Sequence, residues 1–376
     1  MNKKMKIGIV TFQRAHNYGA VLQGYSLKTF LEKLNPGCEV EIIDYWPQYH
    51  KAIYDLFNTS FLNDKISIFQ KLKRLIKLLL VFPTKLKRVK KFESFIRNNL
   101  NLSNNTLITN GSDIQNLYNI IIFGSDQIWR YSDFNNFKGY DPVYWGKYPK
   151  SKGIKKIAYA ASMGVMEISP IQQTFIKNSI SRFDFISVRE KELVKIIQQN
   201  TNQKVEHVLD PVFLTESNDW LKLANMNEIN EKKYVLFYNL NFSQDSIDLA
   251  NYISKKYNYK IIELNGWVTP FSNPLRQKQS AGPIDFISLF ANASFVISTS
   301  FHGVAFSLIF EKQFYSLGMA NNSKRVTSLL EDLNLGDRYL KKMEIIDIKK
   351  RIDYSLVNKK LEELKNRSIK LLKSNI

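Results

Sequence analysis

The 376-residue chain has one cysteine, Cys38, which excludes a disulfide framework and any metal site built from clustered thiolates. Its four histidines, at 16, 50, 207 and 302, include no pair at the spacing that grips a zinc ion, so no metal is expected. Acidic residues are in deficit: 34 Asp and Glu stand against 54 Lys and Arg, a formal charge of +20. That balance favours polyanions, meaning nucleic acid, anionic lipid or phosphorylated substrates. Also missing is an apolar run of the ~20 residues that cross a bilayer. The longest candidate, Leu75–Phe82, is broken by Lys77. Met1–Lys4 run directly into a short apolar strand with no signal-peptide core or cleavage site, so a cytoplasmic location is expected.

At 44% hydrophobic residues, the chain has enough apolar material for two ordinary domains. Strand and helix patterns alternate, which predicts an α/β fold. KIGIVT (6–11) reads as a buried parallel strand, Asn17-Tyr18-Gly19 as a turn, Ala20–Leu34 as a helix stopped by Pro36-Gly37, and EVEIIDY (39–45) as the next strand. These form one βαβ unit and open a doubly wound sheet. Residues 51–105 interrupt the alternation and are expected to be a basic helical insertion. Pro83 is expected to end one helix, and a second should span Lys85–Asn98. Between Lys65 and Arg97 nine further cations face a single acid, Glu93. Strands resume at 119–123, 156–160, 185–189 and 205–209. After a linker region at 218–232, a second α/β half opens at YVLFY (234–238). The expected organisation is a first Rossmann-like domain over 1–217, a second over 218–350 and a C-terminal helix over 351–376. The two halves should face a cleft between them, with ligands at the carboxyl ends of the strands.

Three strings sit at such strand ends. The turn after the first strand holds His16, Asn17 and Gly19 ahead of a helix N-terminus, which suits close approach of an anionic or polar ligand. With one glycine it is not the dinucleotide fingerprint. Gly124-Ser125-Asp126-Gln127-Ile128-Trp129 pairs a carboxylate and an amide with an aromatic, as sugar sites do. The plain alternatives are Asp126 as a helix cap and Trp129 as core filling. Ser298–Gly303 puts His302 at the head of a helix facing the expected cleft, a position suited to proton transfer. Arg189 and Arg325 are candidate clamps for carboxylate and phosphate.

Together HNYGAVLQ (16–23), GSDQIW (124–129), AASMG (160–164), SVRE (187–190), LDP (209–211), SFHG (300–303) and Lys324-Arg325 resemble, in order, the polysaccharide pyruvyl transferase family. The chain departs from some members of that family in carrying Ser300 where they place an arginine two residues before the histidine-glycine pair. The resemblance implies two glycosyltransferase-B-like domains that move the enolpyruvyl unit of phosphoenolpyruvate onto a sugar as a ketal. It implies phosphoenolpyruvate as donor substrate, no cofactor, and a sugar acceptor that is free or polyprenyl-linked. The roles expected are His302 and Asp126 in catalysis; Arg189, Arg325, Ser300 and Gly303 at the donor; and His16, Asn17, Gly19 and Trp129 at the acceptor.

Two rival readings carry their own discriminators. A nucleotide-sugar glycosyltransferase of the same architecture would use Asp126 as base and respond to nucleotide sugars. A nucleic-acid-binding protein would fit the charge, but the chain has no RNA-binding strand, zinc module or helix-turn-helix pattern, so no nucleic-acid partner is expected. For the basic segment 65–98 the expectation is peripheral contact with an anionic membrane at the inner face of the plasma membrane. The alternative is a solvated face whose apolar arc packs on the first domain.

Overall fold

The computed structural model describes residues 4–56, 66–103, 108–114, 117–134, 136–149, 153–164, 167–225, 233–273, 276–318, 323–343 and 350–376. In the first half, β1 (Lys6–Val10), α1 (Tyr18–Leu34), β2 (Glu39–Ile42), α2 (Gln48–Ile53) and α3 (Ile68–Asn99) lead to β3 (Ile120–Phe123). A hairpin of β4 (Ser132–Phe134) and β5 (Phe137–Gly139) follows, then β6 (Lys155–Ala161), α4 (Pro170–Ile180), β7 (Phe185–Val188), α5 (Lys191–Gln198) and β8 (Val205–His207). Helix α6 (Ser217–Leu223) leads to the second half: β9 (Tyr234–Asn239), α7 (Gln244–Tyr257), β10 (Lys260–Asn265), α8 (Pro283–Asn292), β11 (Phe295–Ser298) and α9 (Phe301–Ile309). It closes with β12 (Phe314–Leu317), α10 (Ser323–Asp332), β13 (Tyr339–Leu340) and α11 (Tyr354–Lys373).

Two parallel sheets result, ordered β2-β1-β3-β6-β7-β8 and β10-β9-β11-β12-β13. This is the two-Rossmann α/β class expected from the alternating pattern. The strands are nearly continuous apolar runs because helices cover both faces. Each sheet has a switch point where the winding reverses, between β1 and β3 in the first and between β9 and β11 in the second. Open α/β sheets bind ligands just beyond the carboxyl ends of the strands at such points. One apolar cluster runs through both halves, from Ile7, Val21 and Leu22 to Trp220, Phe286 and Phe306, and two others cover the outer faces of the sheets.

Helix α11 ties the halves together. Tyr354 Oη, near its start, donates to the Lys312 carbonyl at 2.5 Å, and Ser368 Oγ accepts from the Leu209 amide at 3.0 Å. Helix α3 ties them again: Arg88 donates to the Asn265 carbonyl at 2.8 Å, and Lys91 pairs with Asp285 at 2.8 Å.

The expectation of two helices broken at Pro83 is corrected, because α3 runs unbroken for 32 residues with Pro83 inside it. Pro83 is exposed and so is Leu79, so the carbonyl that loses its amide partner lies on the solvent side, where water can satisfy it. The helix is anchored on both sides of the proline. A capping box at Ser67 and Gln70 starts it, and buried Phe92, Phe95 and Ile96 fix its second half. Lys324 and Arg325 lie in the first turn of α10, which begins at Ser323. Residues 226–232 of the expected linker lie outside the described residues. Among the described residues no helix is long and apolar enough to cross a membrane.

Candidate active site

The two switch points face one another across a cavity of about 460 Å³. From the first half come the turn after β1 (Phe12, Ala15, Asn17), the turn after β3 (Asp126–Ile128, Arg130), and α2 with the residue after it (Tyr49, His50, Ile53, Tyr54). From the second half come Leu240 and Asn241 after β9, Thr299–His302 after β11, and Arg325 in the first turn of α10.

Asn17 caps α1, its side chain accepting from the Ala20 amide at 3.3 Å. Two residues on, Gly19 lies against His302: a Cβ built there would fall within the imidazole ring. The missing side chain is what lets α1 and α9 meet head to head. His302 is buried near the start of α9, with Nε2 3.7 Å from Asp210 Oδ2. Burial alone would raise the Asp210 pKa. The charge of Arg189 and the approach of His302 outweigh it and hold the carboxyl well below its ordinary value. Asp210 therefore stays ionised behind the imidazole.

Arg189 is not where a ligand clamp would be. Its side chain is enclosed, paired with Asp210, 3.7 Å from both Asp126 and Glu190, and stacked over Phe301 at 4.6 Å. It does not line the cavity, and its charge is already taken by carboxylates, so its donor-clamp role is corrected to that of an internal counter-ion. Arg325 does line the cavity. With the Gln127 amide oxygen turned toward it, Gln127 accepts from Nη2 at 2.9 Å and Nη1 at 3.2 Å. Burial, with Arg189 nearby, lowers the Arg325 pKa to about 10, which still leaves it cationic at neutral pH. The second cation on the cavity wall is Arg130, exposed at the end of the turn after β3.

Asp126 faces the cavity with φ +71°, a left-handed conformation that Asp tolerates better than most residues. Its carbonyl accepts from the Ser162 and Ile128 amides at 3.1 and 2.8 Å, so it joins a turn between β3 and β6 rather than capping a helix. Ser300 occupies the N-cap position of α9, makes no side-chain capping bond there, and lines the cavity. Gly303 does not line it. A Cβ there would overlap Ser298 Oγ and crowd Tyr238, so this glycine serves the close packing of α9 on β9 and β11.

Two acceptor-side expectations are also corrected. Trp129 has no exposed surface; it stacks on Trp145 at 4.5 Å and donates Nε1–H to the Tyr144 carbonyl at 3.0 Å, which leaves no face for a sugar. His16 binds Glu93 of α3 through Nε2 at 3.0 Å and is not on the cavity wall. Arg14, another cation in the same turn, bridges Asp44 at 2.6 Å and Glu93 at 3.1 Å. Together these residues fasten α3 to the first sheet.

The residues that sequence reasoning passed over are His50, Arg130, Tyr49, Tyr54 and Asp141. His50 packs against Phe12 and Tyr49 at 4.6 Å, and burial lowers its pKa to about 4, so it is neutral at pH 7. Asp141 accepts from Tyr45 and Tyr49 hydroxyls at 2.9 and 2.8 Å, bracing this aromatic wall. A signal for it was available: Pro47 starts α2 directly after the second strand, so its side chains had to emerge at the carboxyl edge of the sheet. Among the described residues no group of three His, Cys, Asp or Glu could hold a metal ion.

By fold and site this is a two-domain α/β protein with a polar, imidazole-bearing cavity between its sheets. The chain belongs to the polysaccharide pyruvyl transferase family, whose model matches residues 17–321, and is therefore a transferase. Among solved structures it is similar to a glycosyltransferase from Streptomyces sp. SF2575, at 10% identity, covering 97% of this chain and 96% of that one with a TM-score of 0.37. It is also similar to the UDP-GlcNAc 2-epimerase of Methanocaldococcus jannaschii, at 11% identity, 97% and 93% coverage and a TM-score of 0.42. The E. coli heptosyltransferase WaaC matches at 11% identity, 96% and 99% coverage and a TM-score of 0.35. No curated protein matches the chain.

Proposed function

We propose that the protein transfers pyruvate from phosphoenolpyruvate onto two hydroxyls of a sugar in a cell-surface polysaccharide or its lipid-linked precursor, forming a pyruvate ketal and releasing phosphate. The observation that carries this reading is the placing of His302, backed by ionised Asp210, in the same cavity as the guanidinium groups of Arg325 and Arg130.

The reaction requires a proton on the methylene carbon of the donor, which leaves the adjacent carbon electrophilic. His302 is the donor of that proton, with Asp210 stabilising the imidazolium from behind. Arg325 and Arg130 hold the carboxylate and phosphate, and Ser300 sits beside them on the α9 cap. One sugar hydroxyl attacks the electrophilic carbon and gives its proton to Asp126, which lines the same wall. The second hydroxyl then displaces phosphate, whose departure takes the bonding pair of the C–O bond, while its proton leaves with the phosphate. The aromatic wall around neutral His50 and the Asn17 turn suit the acceptor sugar, apolar faces against rings and hydroxyls against amide and imidazole. This chemistry calls for no metal or cofactor, since arginines supply the positive charge.

The test is incubation of the purified protein with phosphoenolpyruvate and an acceptor glycan fraction, with phosphate release and glycan mass both measured. A mass gain of one pyruvate ketal per phosphate supports the reading. Transfer from a nucleotide sugar, with none from phosphoenolpyruvate, overturns it. His302→Ala should cut turnover by roughly 10²–10⁴-fold.

A further inference from the structure

The two halves of α3 differ in what covers them. From Val81 onward, buried Val81, Arg88, Phe92, Phe95 and Ile96 hold the helix against the protein body. Before it, Ile68, Phe69, Leu72, Ile76, Leu79 and Leu80 are all exposed, Phe69 by 76% and Leu79 by 59%. At 100° per residue these six fall within one arc of about 120°. The side facing the body is a different one, marked by half-buried Leu75, Leu78 and Phe82. The helix thus carries a broad apolar surface, one edge of it against the protein and the larger part turned outward, where a solvated helix would be polar. Exposed Lys73 and Lys77 border the outward part, Lys71 and Arg74 lie in the same turns, and no acid occurs between Lys65 and Glu93.

We propose that residues 68–80 form an interfacial helix that docks the protein on an anionic lipid bilayer. An apolar stripe bordered by lysines matches the acyl–headgroup boundary, with side chains in the apolar layer and ammonium groups at the lipid phosphates. The basic border and the absence of acid select an anionic lipid surface over a second, equally basic copy of this chain. Only the first half of the 65–98 segment docks; the second half belongs to the fold. The body-bound half that continues this helix passes beside the cavity, because Lys85 donates to the carbonyls of Asp55 and Leu56, the segment just after cavity-lining Ile53 and Tyr54. The proposal does not depend on the reaction assigned above.

The experiment is co-sedimentation of the full chain with vesicles of phosphatidylcholine alone, or with one-third phosphatidylglycerol, at low and high salt. Binding should require phosphatidylglycerol and weaken roughly tenfold or more at high salt and in Lys73→Glu/Lys77→Glu. Phe69→Ser/Leu72→Ser/Leu79→Ser should abolish binding even at low salt. Its thermal stability should be unchanged, because the replaced side chains touch water. Equal binding to neutral vesicles, or retention by both variants, overturns the proposal. So does a concentration-dependent dimer that the serine variant dissolves, since a second copy would then cover the outward part.

Discussion

Gly19 of the first half and His302 of the second meet where no side chain on Gly19 could fit: a Cβ there would occupy the space of the imidazole. The nitrogen nearest that position is Nδ1, while Nε2 looks back to Asp210. Gly19→Ala should therefore move His302 or part the helix ends. A displacement of about 1 Å at a reacting group costs on the order of 10²-fold in rate. The expected result is a large fall in kcat with a folded protein, checked by steady-state kinetics beside circular dichroism.

Asp210 is the shared partner of Arg189 and His302, and all three are buried. Asp210→Asn leaves the Arg189 charge without its main counter-ion, and breaking a buried pair typically costs about 3–5 kcal/mol. Because the folded-state pKa of Asp210 is depressed, its contribution is fully present above the unfolded value of about 3.9 and is lost as pH falls below it. Urea midpoints measured from pH 7 down to pH 3 should fall more steeply for the wild type than for Asp210→Asn.

His50 gives a second pH signature in a different window. Burial lowers its pKa to about 4, against about 6.5 when unfolded, so the unfolded chain binds more protons between those values. Stability should decline as pH falls through that interval, and His50→Gln should flatten the decline. A matching slope in both proteins, from denaturation midpoints at pH 7, 5.5 and 4.5, would show that His50 is not the group responsible.

Under the proposed reaction Arg325 and Arg130 act on the donor and Arg189 on the fold. Arg325→Lys and Arg130→Lys should each weaken phosphoenolpyruvate binding by roughly tenfold, since lysine keeps the charge but loses the planar fork. Arg189→Lys should instead lower the thermal midpoint, because Arg189 meets Asp210, Asp126 and Glu190 rather than the cavity. Isothermal titration and thermal melts on the three variants separate the roles.

Much of the architecture is local and therefore legible in the chain. Short apolar runs, most of them followed by a polar turn and a helix, determine alternating parallel strands and helices. The turns after β1, β3 and β11 could be named as site segments because parallel sheets present strand carboxyl ends to ligands. Asn17, Gly19, Asp126, Ser300, His302 and Arg325 do converge at the cavity or its edge. What tertiary structure decided was which charges remain free. Arg189 and Arg325 look alike as sequence, yet one is neutralised by Asp210, 21 residues further along, and the other looks into the cavity. Trp129 and His16 were drawn away from the ligand by Trp145 and by Glu93, partners whose proximity no local pattern records. The unbroken course of α3 past Pro83 has the same origin: propensity predicts a break there, and packing of Phe92, Phe95 and Ile96 on one side with a cap at Ser67 on the other outweighs it. Most strands and helices are set by neighbours in the chain, whereas the availability of a charge or a ring, and the course of α3 past Pro83, are set by neighbours in space, which only the folded chain brings together.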